Sequence, residues 1–339
     1  MKNLRKILWP FAVPYDGITR LRNYFYDNQL FESKSYDFPV IGIGNLSTGG
    51  TGKSPMTEYL ISLLKDAHNV AVLSRGYGRK TKGYLDVNST LEAIQTGDEP
   101  LQFARKFNDI QVAVSENRVE GIKRLKEKEL SPQVLILDDI YQHRKVKPGF
   151  LILLTAYGDF FYDDLILPAG NLRESKYGAD RAHCVIVTKC PFDLSIENQN
   201  KIRNKISKYT KAPVYFSSIA YGELHSISGI EDWKTISQKD LAVVTGIAKP
   251  KPFLNYFDTK KIVYKHIQFS DHHNFSEEEI KKLDDTEIVL TTEKDFVRLN
   301  GKLKNARLFY IPIKFQFLTE GLKFNKMIFD FVASDLFKE

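Results

Sequence analysis

The chain has 339 residues, 42% of them apolar and 12% aromatic, enough to bury sizeable cores in about two domains. No apolar run approaches the ~20 residues of a spanning helix, and the two cysteines, Cys184 and Cys190, offer neither a disulfide framework nor a metal-ligand pattern, as suits a reducing cytosol. The net charge of +7 leans toward anionic partners: phosphates, acidic lipid headgroups or nucleic acid.

The N-terminal stretch places Leu4, Ile7, Leu8 and Phe11 on one helical face, with Lys2, Arg5 and Lys6 beside them. After Pro10 and Pro14 a second segment aligns Ile18, Leu21 and Phe25, with Arg20 and Arg22 alongside. The apolar part is too short and too broken for a signal peptide. Its mixture of aromatic, apolar and basic residues suits a helix in a membrane interface. A helix packed on the first domain with solvated cations satisfies the same pattern, and these residues alone do not choose.

From Val40 the chain reads as strand, glycine loop, helix, strand. Val40, Ile41 and Ile43 form an apolar run, Met56, Leu60, Leu63 and Leu64 recur at helical spacing, and Val70, Val72 and Leu73 suggest the next strand. Between them lies a phosphate-binding loop comprising Ser47, Thr48, Gly49, Gly50, Thr51, Gly52, Lys53 and Ser54. Glycines let successive N–H groups turn toward phosphate oxygens, and the helix start adds partial positive charge. Lys53 reaches the β- and γ-phosphates in such loops, and the Ser54 hydroxyl ligates Mg²⁺. Ser47 stands where the general pattern has its first glycine.

Further along, QVAVS, VLILDD, FLILLT and CVIVTK read as buried strands, with a helix around Val119, Ile122 and Leu125. This alternation predicts a mostly parallel sheet with helices on both faces, an α/β, P-loop NTPase-like fold. Asp138 and Asp139 end one strand, where enzymes with this loop hold Mg²⁺. In TGDEP, Asp98 has the makings of a helix N-cap, with Glu99 and Pro100 in the first turn. Arg75, Arg79 and Lys80 lie among glycines and are candidates to hold a phosphate. Asn171, Arg173 and Glu174 follow a Pro-Gly loop and could equally form a solvated turn.

A strand-like run beginning at Pro213 marks the expected domain boundary. Beyond it DLAVVTGIA, IVYKHIQFS, EIVLTT and ARLFYIPI read as strands, and a final amphipathic helix carries Met327, Phe329 and Phe331. Ser276 and Glu279 form a capping box, which leaves Asp271, His272 and His273 on the preceding loop, and TTEKD sets charges at another strand end. The division expected is therefore 1–36 as an amphipathic membrane-associating segment, 37–212 as the nucleotide-binding domain and 213–339 as a smaller α/β domain closing the cleft.

With these motifs in order, the chain resembles the tetraacyldisaccharide 4′-kinases, the lipid A 4′-kinases of Gram-negative bacteria. The resemblance rests on GNLSTGGTGKSP, SRGYGR, GDEP, LDDIYQH, LPAGNLRE, TGIA with a following Pro and Phe, FSDHH and TTEKD. That family also carries Ser or Thr at the position of Ser47; this chain departs from it at Ile140, usually Gly, and at Asn171. The resemblance implies ATP-dependent phosphorylation of the 4′-hydroxyl of a tetraacylated disaccharide 1-phosphate, giving lipid IVA. It implies an active site in the cleft between two α/β domains and peripheral attachment to the cytoplasmic face of the inner membrane, an anionic surface. Carried over residue by residue, Lys53 and Ser54 serve the phosphates and Mg²⁺, and Asp138 with Glu99 or Asp139 completes the metal shell. Asp98 is the implied general base, supported by His272, and Arg75, Arg79, Asn171, Arg173 and Glu174 are implied to meet the acceptor. Neither a nucleic-acid partner nor an obligate protein partner is expected.

Three other readings share the loop. A regulatory GTPase needs a guanine-reading motif; Thr188 and Lys189 are its nearest match, but Pro191 occupies the required Asp position. A dimerising ATPase carries a second loop lysine where this chain has Thr48. A kinase acting on a soluble small molecule leaves the basic, aromatic N-terminus without a purpose.

Overall fold

The computed structural model describes residues 4–236, 240–271 and 273–334. A short 3₁₀ segment, Leu4–Leu8, leads into α1, Trp9–Asp27. Next come β1 (Val40–Asn45), α2 (Lys53–Leu64), β2 (Val70–Ser74), β3 (Leu85–Val87) and the single-turn α3 (Ala93–Thr96). They are followed by α4 (Asp98–Lys106), β4 (Gln111–Val114), α5 (Arg118–Lys126), β5 (Val134–Leu137) and β6 (Phe150–Ala156). The first run closes with β7 (Cys184–Thr188), α6 (Ile196–Ile206) and β8 (Val214–Tyr221). A second run holds β9 (Leu224–Ser226), β10 (Gly229–Glu231), β11 (Leu241–Thr245), α7 (Lys251–Thr259), β12 (Lys265–Gln268) and α8 (Glu277–Asp284). It continues through β13 (Ile288–Thr292), α9 (Glu293–Leu299), β14 (Arg307–Ile311), β15 (Ile313–Phe317) and α10 (Gly321–Val332).

These strands make two sheets. The larger has nine strands in the order β15-β8-β7-β6-β1-β5-β2-β4-β3, parallel except for β3 and β15 at its edges. Its central strands are buried along their whole length because helices cover both faces. The strand period of two sends Val40 to one face and Ile41 and Ile43 to the other. Accordingly Val40 joins one core with Leu73, Leu137 and Phe161, while Ile41 and Ile43 join another with Met56 and Leu60 of α2. Each fully buried aliphatic side chain there contributes about 1.5–3 kcal/mol. The smaller sheet has six strands, β10-β9-β14-β13-β11-β12, with a parallel centre and an antiparallel hairpin at one edge.

The expected boundary at 212/213 does not follow the sheets. β8 pairs in parallel with β7, and the C-terminal β15 and α10 return to the large sheet, where Phe315, Phe324 and Ile328 are buried against its core. The second unit is the sheet running from β9 to β14, inserted between β8 and β15. At the N-terminus the expected two segments are one helix. Pro10 occupies its first turn, where the missing N–H has no intrahelical partner to lose, and Pro14 is accommodated inside it. Asp98 is likewise not an N-cap: Gly97 holds that position at φ 87°, and Asp98 begins α4. The Ser276–Glu279 capping box forms as read.

Candidate active site

The loop after β1 leaves the centre of the large sheet beside the C-terminal ends of β2, β5, β6 and β7, the crevice where open parallel sheets bind ligands. Gly49 and Gly52 take φ values of 108° and 87°, a region where a Cβ brings strain, and Gly52 is the N-cap of α2. The first N–H groups of α2 have no intrahelical acceptor and remain for an anion. The loop is braced from outside. Thr48 N–H donates to Asn171 O at 2.7 Å, Arg173 N–H donates to Leu46 O at 2.7 Å, and Thr188 Oγ1 donates to Thr51 O at 2.7 Å. Lys53 Nζ lies 3.4 Å from Asn45 Oδ1 and 3.6 Å from Asp139 Oδ1, so the loop lysine faces the end of β5.

Asp138 and Asp139 have different environments. Asp139 accepts both arms of Arg173, at 2.9 and 3.2 Å. Burial opposes its ionisation, but Lys53 and Arg173 outweigh it and hold the carboxyl at about 2. Asp138 is buried, and desolvation lifts it to about 6; Lys53 and Arg118 oppose, while Asp139 and Glu99 add to the rise. Its Oδ2 accepts from Ser74 Oγ at 3.3 Å, and its Oδ1 is buried without a hydrogen-bond partner. An ionisable oxygen in that state is what a hard cation uses. Among the described residues no group of three or more His, Cys, Asp or Glu is arranged to hold a metal. The buried, unpartnered Asp138 oxygen beside Asp139 fits Mg²⁺, which takes one or two carboxylates and completes its shell with waters and phosphates. Of this pair and the residue after it, Asp139 takes a positive φ, at 48°, and Ile140 does not; Ile140 is buried against Gly42, where a Cβ would come within 2.7 Å of it.

Asp98 and Glu99 open α4 at the seam between the two sheets. Asp98 is buried and held by both arms of Arg298 from α9, with Nε to Oδ1 at 2.7 Å. The same guanidinium donates to His273 O at 2.9 Å, tying the FSDHH loop to the start of α4. Glu99 pairs with Lys294 at 3.2 Å. His272 lies outside the described residues.

The remaining candidates separate. Arg75 is exposed and acts electrostatically on Arg118 and His143. The Arg79 side chain is buried, paired with Glu116 at 2.7 Å and bonded to Gly83 O, so it holds its own loop together. Glu174, expected to meet the acceptor, is fully buried, bound by Arg181 at 2.9 Å, Gln142 at 2.9 Å and Asn23 at 2.7 Å. It joins the site's frame to α1. Asn171 accepts from Arg5 Nη1 at 2.7 Å, and Arg173 braces Asn45 as well as Asp139. Sequence reading missed Asn45, Arg118 and Arg298, and met Lys189 only as part of a broken guanine-reading motif. Asn45 ends the loop strand and was findable by position; Arg118 and Arg298 sit where only the fold brings them, as does the contact of Lys189 with the loop. An open groove of about 700 Å³ beside α6 is lined by none of these residues.

A model of the family described as tetraacyldisaccharide-1-P 4′-kinase matches residues 4–332. A tetraacyldisaccharide 4′-kinase of Flavobacterium psychrophilum is 46% identical, with 98% of each chain covered. One from Bacteroides thetaiotaomicron is 41% identical over 98% of this chain and 94% of its own. Among solved structures, an "apo"-form LpxK from Aquifex aeolicus in complex with ATP has a TM-score of 0.80 at 32% identity, covering 97% of this chain and all of that one.

Proposed function

The chain belongs to the tetraacyldisaccharide-1-P 4′-kinase family, and we infer that it transfers the γ-phosphate of ATP to the 4′-hydroxyl of a tetraacylated disaccharide 1-phosphate, giving lipid IVA in lipid A synthesis. The observation that carries the reading is the whole-length family match coinciding with an intact phosphate loop whose lysine faces a paired-aspartate strand end.

In this reading the loop N–H groups and Lys53 bind the β- and γ-phosphates and stabilise charge on the transferring phosphoryl group. Ser54 and Asp138, with Asp139 or Glu99, would hold Mg²⁺, which neutralises phosphate charge when bound. The 4′-oxygen forms its bond to the γ-phosphorus as the bond to the bridging oxygen of ADP breaks. The hydroxyl proton passes to the Asp98 carboxylate, with His272 supporting it from the second unit. Arg298 orients Asp98. Arg75, Asn171 and Arg173 remain candidates to meet the acceptor.

The acceptor is a lipid, and α1 supports delivery from a membrane surface. Its small or polar residues Ala12, Thr19 and Asn23 face the protein, whereas Phe11, Ile18 and Leu21 are 67%, 69% and 54% exposed. That inverts the usual pattern and suits an interfacial helix on the cytoplasmic face of the inner membrane. No helix among the described residues is long and apolar enough to cross a membrane. Incubation with ATP, Mg²⁺ and the disaccharide 1-phosphate in detergent micelles tests the function. The expected product is heavier by one phosphoryl group on the acceptor; phosphate release without acceptor phosphorylation overturns the reading.

A further inference from the structure

We propose that Thr188 and Lys189, at the end of β7, are positioning residues of the nucleotide site, and that Lys189 is the second lysine of a loop whose own sequence carries only one. The inference rests on the reading of Ser47–Ser54 as the phosphate loop.

The two residues hold successive loop carbonyls. Lys189 Nζ donates to Gly50 O at 2.6 Å, and Thr188 Oγ1 donates to Thr51 O at 2.7 Å. In a trans peptide the N–H points opposite the C=O. Holding Thr51 O on the β7 side therefore directs Gly52 N–H to the other side of the loop. Holding Gly50 O fixes the peptide whose own N–H, from Thr51, closes a tight turn on Gly49 O at 3.0 Å. The apposition is close: a Cβ on Gly50 would lie 3.7 Å from Lys189 Nζ, and one on Gly52 would lie 3.6 Å from Thr188.

Lys189 also has an outlying backbone, with φ at 58°. A non-glycine side chain resists that region and stays only where the surroundings impose it. Here the backbone on either side is pinned, Tyr157 N–H donating to Thr188 O at 2.8 Å and Cys190 N–H to Ser217 O at 2.9 Å, and the side chain's bond to the loop adds to these. The ammonium sits among like charges. Desolvation and Lys249 hold its pKa below the usual lysine value, Asp159 opposes, and Lys53 adds to the fall. Lys249 is paired with Asp159, whereas the hydrogen bond described for the Lys189 ammonium goes to the loop carbonyl of Gly50. In sequence, Thr188 and Lys189 match part of a guanine-reading motif that Pro191 breaks. The geometry gives the pair a use that needs no carboxylate at that position.

The test uses the full chain in detergent and titrates a non-hydrolysable ATP analogue by calorimetry, alongside KM values for ATP and for the disaccharide acceptor. Lys189→Met keeps the stem and removes the charge, and Thr188→Val removes one hydroxyl. A hydrogen bond to a charged group predicts that Lys189→Met weakens analogue binding and raises the ATP KM about tenfold or more. Thr188→Val should do so by a few-fold, and the acceptor KM should stay within about twofold of wild type. Lys189→Arg should recover most of the loss. If Lys189→Met does not fold, Lys189→Gly, which suits the positive φ, carries the same expectation. Variants that bind the analogue like wild type, or that lose acceptor affinity as much as ATP affinity, overturn the proposal. Failure of the wild-type chain to bind the analogue overturns the phosphate-loop reading and this inference with it.

Discussion

Lys53 and Asp98 make different demands on a single substitution. Lys53 is held by Asn45 and Asp139 at the loop's edge, so Lys53→Ala removes a cation without opening a core. Loss of one preorganised donor to a developing negative charge costs about 10²–10³ in kcat, and more where the donor carries full charge. Turnover should fall at least that far while the circular-dichroism spectrum and thermal midpoint stay near wild type; a folded, active variant removes the loop assignment. Asp98 is harder to read because its side chain and that of Arg298 are 6% and 7% exposed. Removing either partner strands a buried charge, at a cost of about 3–5 kcal/mol of stability, whereas removing both is milder. Asp98→Ala should lower kcat by ~10²–10⁴ as well as stability. The double variant Asp98→Ala/Arg298→Ala should regain stability and remain inactive. If activity returns with stability, the pair is structural only and the general base lies elsewhere.

Helices α2, α4 and α9 meet at a buried cluster in which Lys106 lies between two carboxylates, Glu58 at 2.7 Å and Glu293 at 2.9 Å. One cation for two anions leaves a net negative charge out of water. Burial first, then Glu293, raises Glu58 to about 7 against the pull of Lys106 and Gln102. Because this folded pKa lies above the unfolded value, the folded state binds the proton more tightly. The contribution to stability is full below the unfolded carboxyl pKa and is lost as pH rises toward and through about 7. Glu58→Gln should therefore stabilise the fold at pH ~8 by on the order of 1–3 kcal/mol, seen as a raised thermal midpoint, and change it little near pH ~5. An equal effect at both values would show that Glu58 is ionised throughout. This cluster also marks what the chain does and does not disclose. The turn from β1 through the glycine loop into α2, the strand leading to Asp138 and the Ser276–Glu279 cap were legible because each is set by neighbours in sequence. The Asp98–Arg298 pair spans 200 residues, and Thr188 reaches Thr51 only because β7 lies two strands from β1. Nor does a local signal announce that β15 returns to pair with β8. A charged residue after a Pro-Gly loop reads as solvated, yet three partners bury Glu174.

At the scale of the molecule, one end of the large sheet is joined to the second unit through α4 and α9, while α1 lies against the loop carrying Asn171 and Arg173. The helix with the exposed apolar face and the glycine loop after β1 thus share one frame: Tyr15 bonds Arg173 O at 3.0 Å, and Asn23 bonds Glu174. Deleting the N-terminus would disturb that frame, so point substitutions on the outward face are the sharper probe. Ile7, Phe11 and Ile18 are 73%, 67% and 69% exposed, and each would contribute about 1.5–3 kcal/mol if fully buried in an acyl boundary. The basic residues offer less than composition suggests. Arg5 is clasped by the Pro168–Asn171 loop, and Arg20 pairs with Asp16 at 2.8 Å. A free cation near an anionic surface adds about 1 kcal/mol and is screened within about a Debye length. Binding should therefore be mainly apolar: sedimentation with vesicles should survive raised salt, yield to detergent, and be somewhat stronger on anionic than on neutral lipid. The triple variant Ile7→Ser/Phe11→Ser/Ile18→Ser should lose most vesicle binding, keep its thermal midpoint, and still phosphorylate acceptor presented in micelles. A triple variant that sediments like wild type would place the membrane contact on another surface and leave α1 as a brace for the Asn171–Glu174 loop.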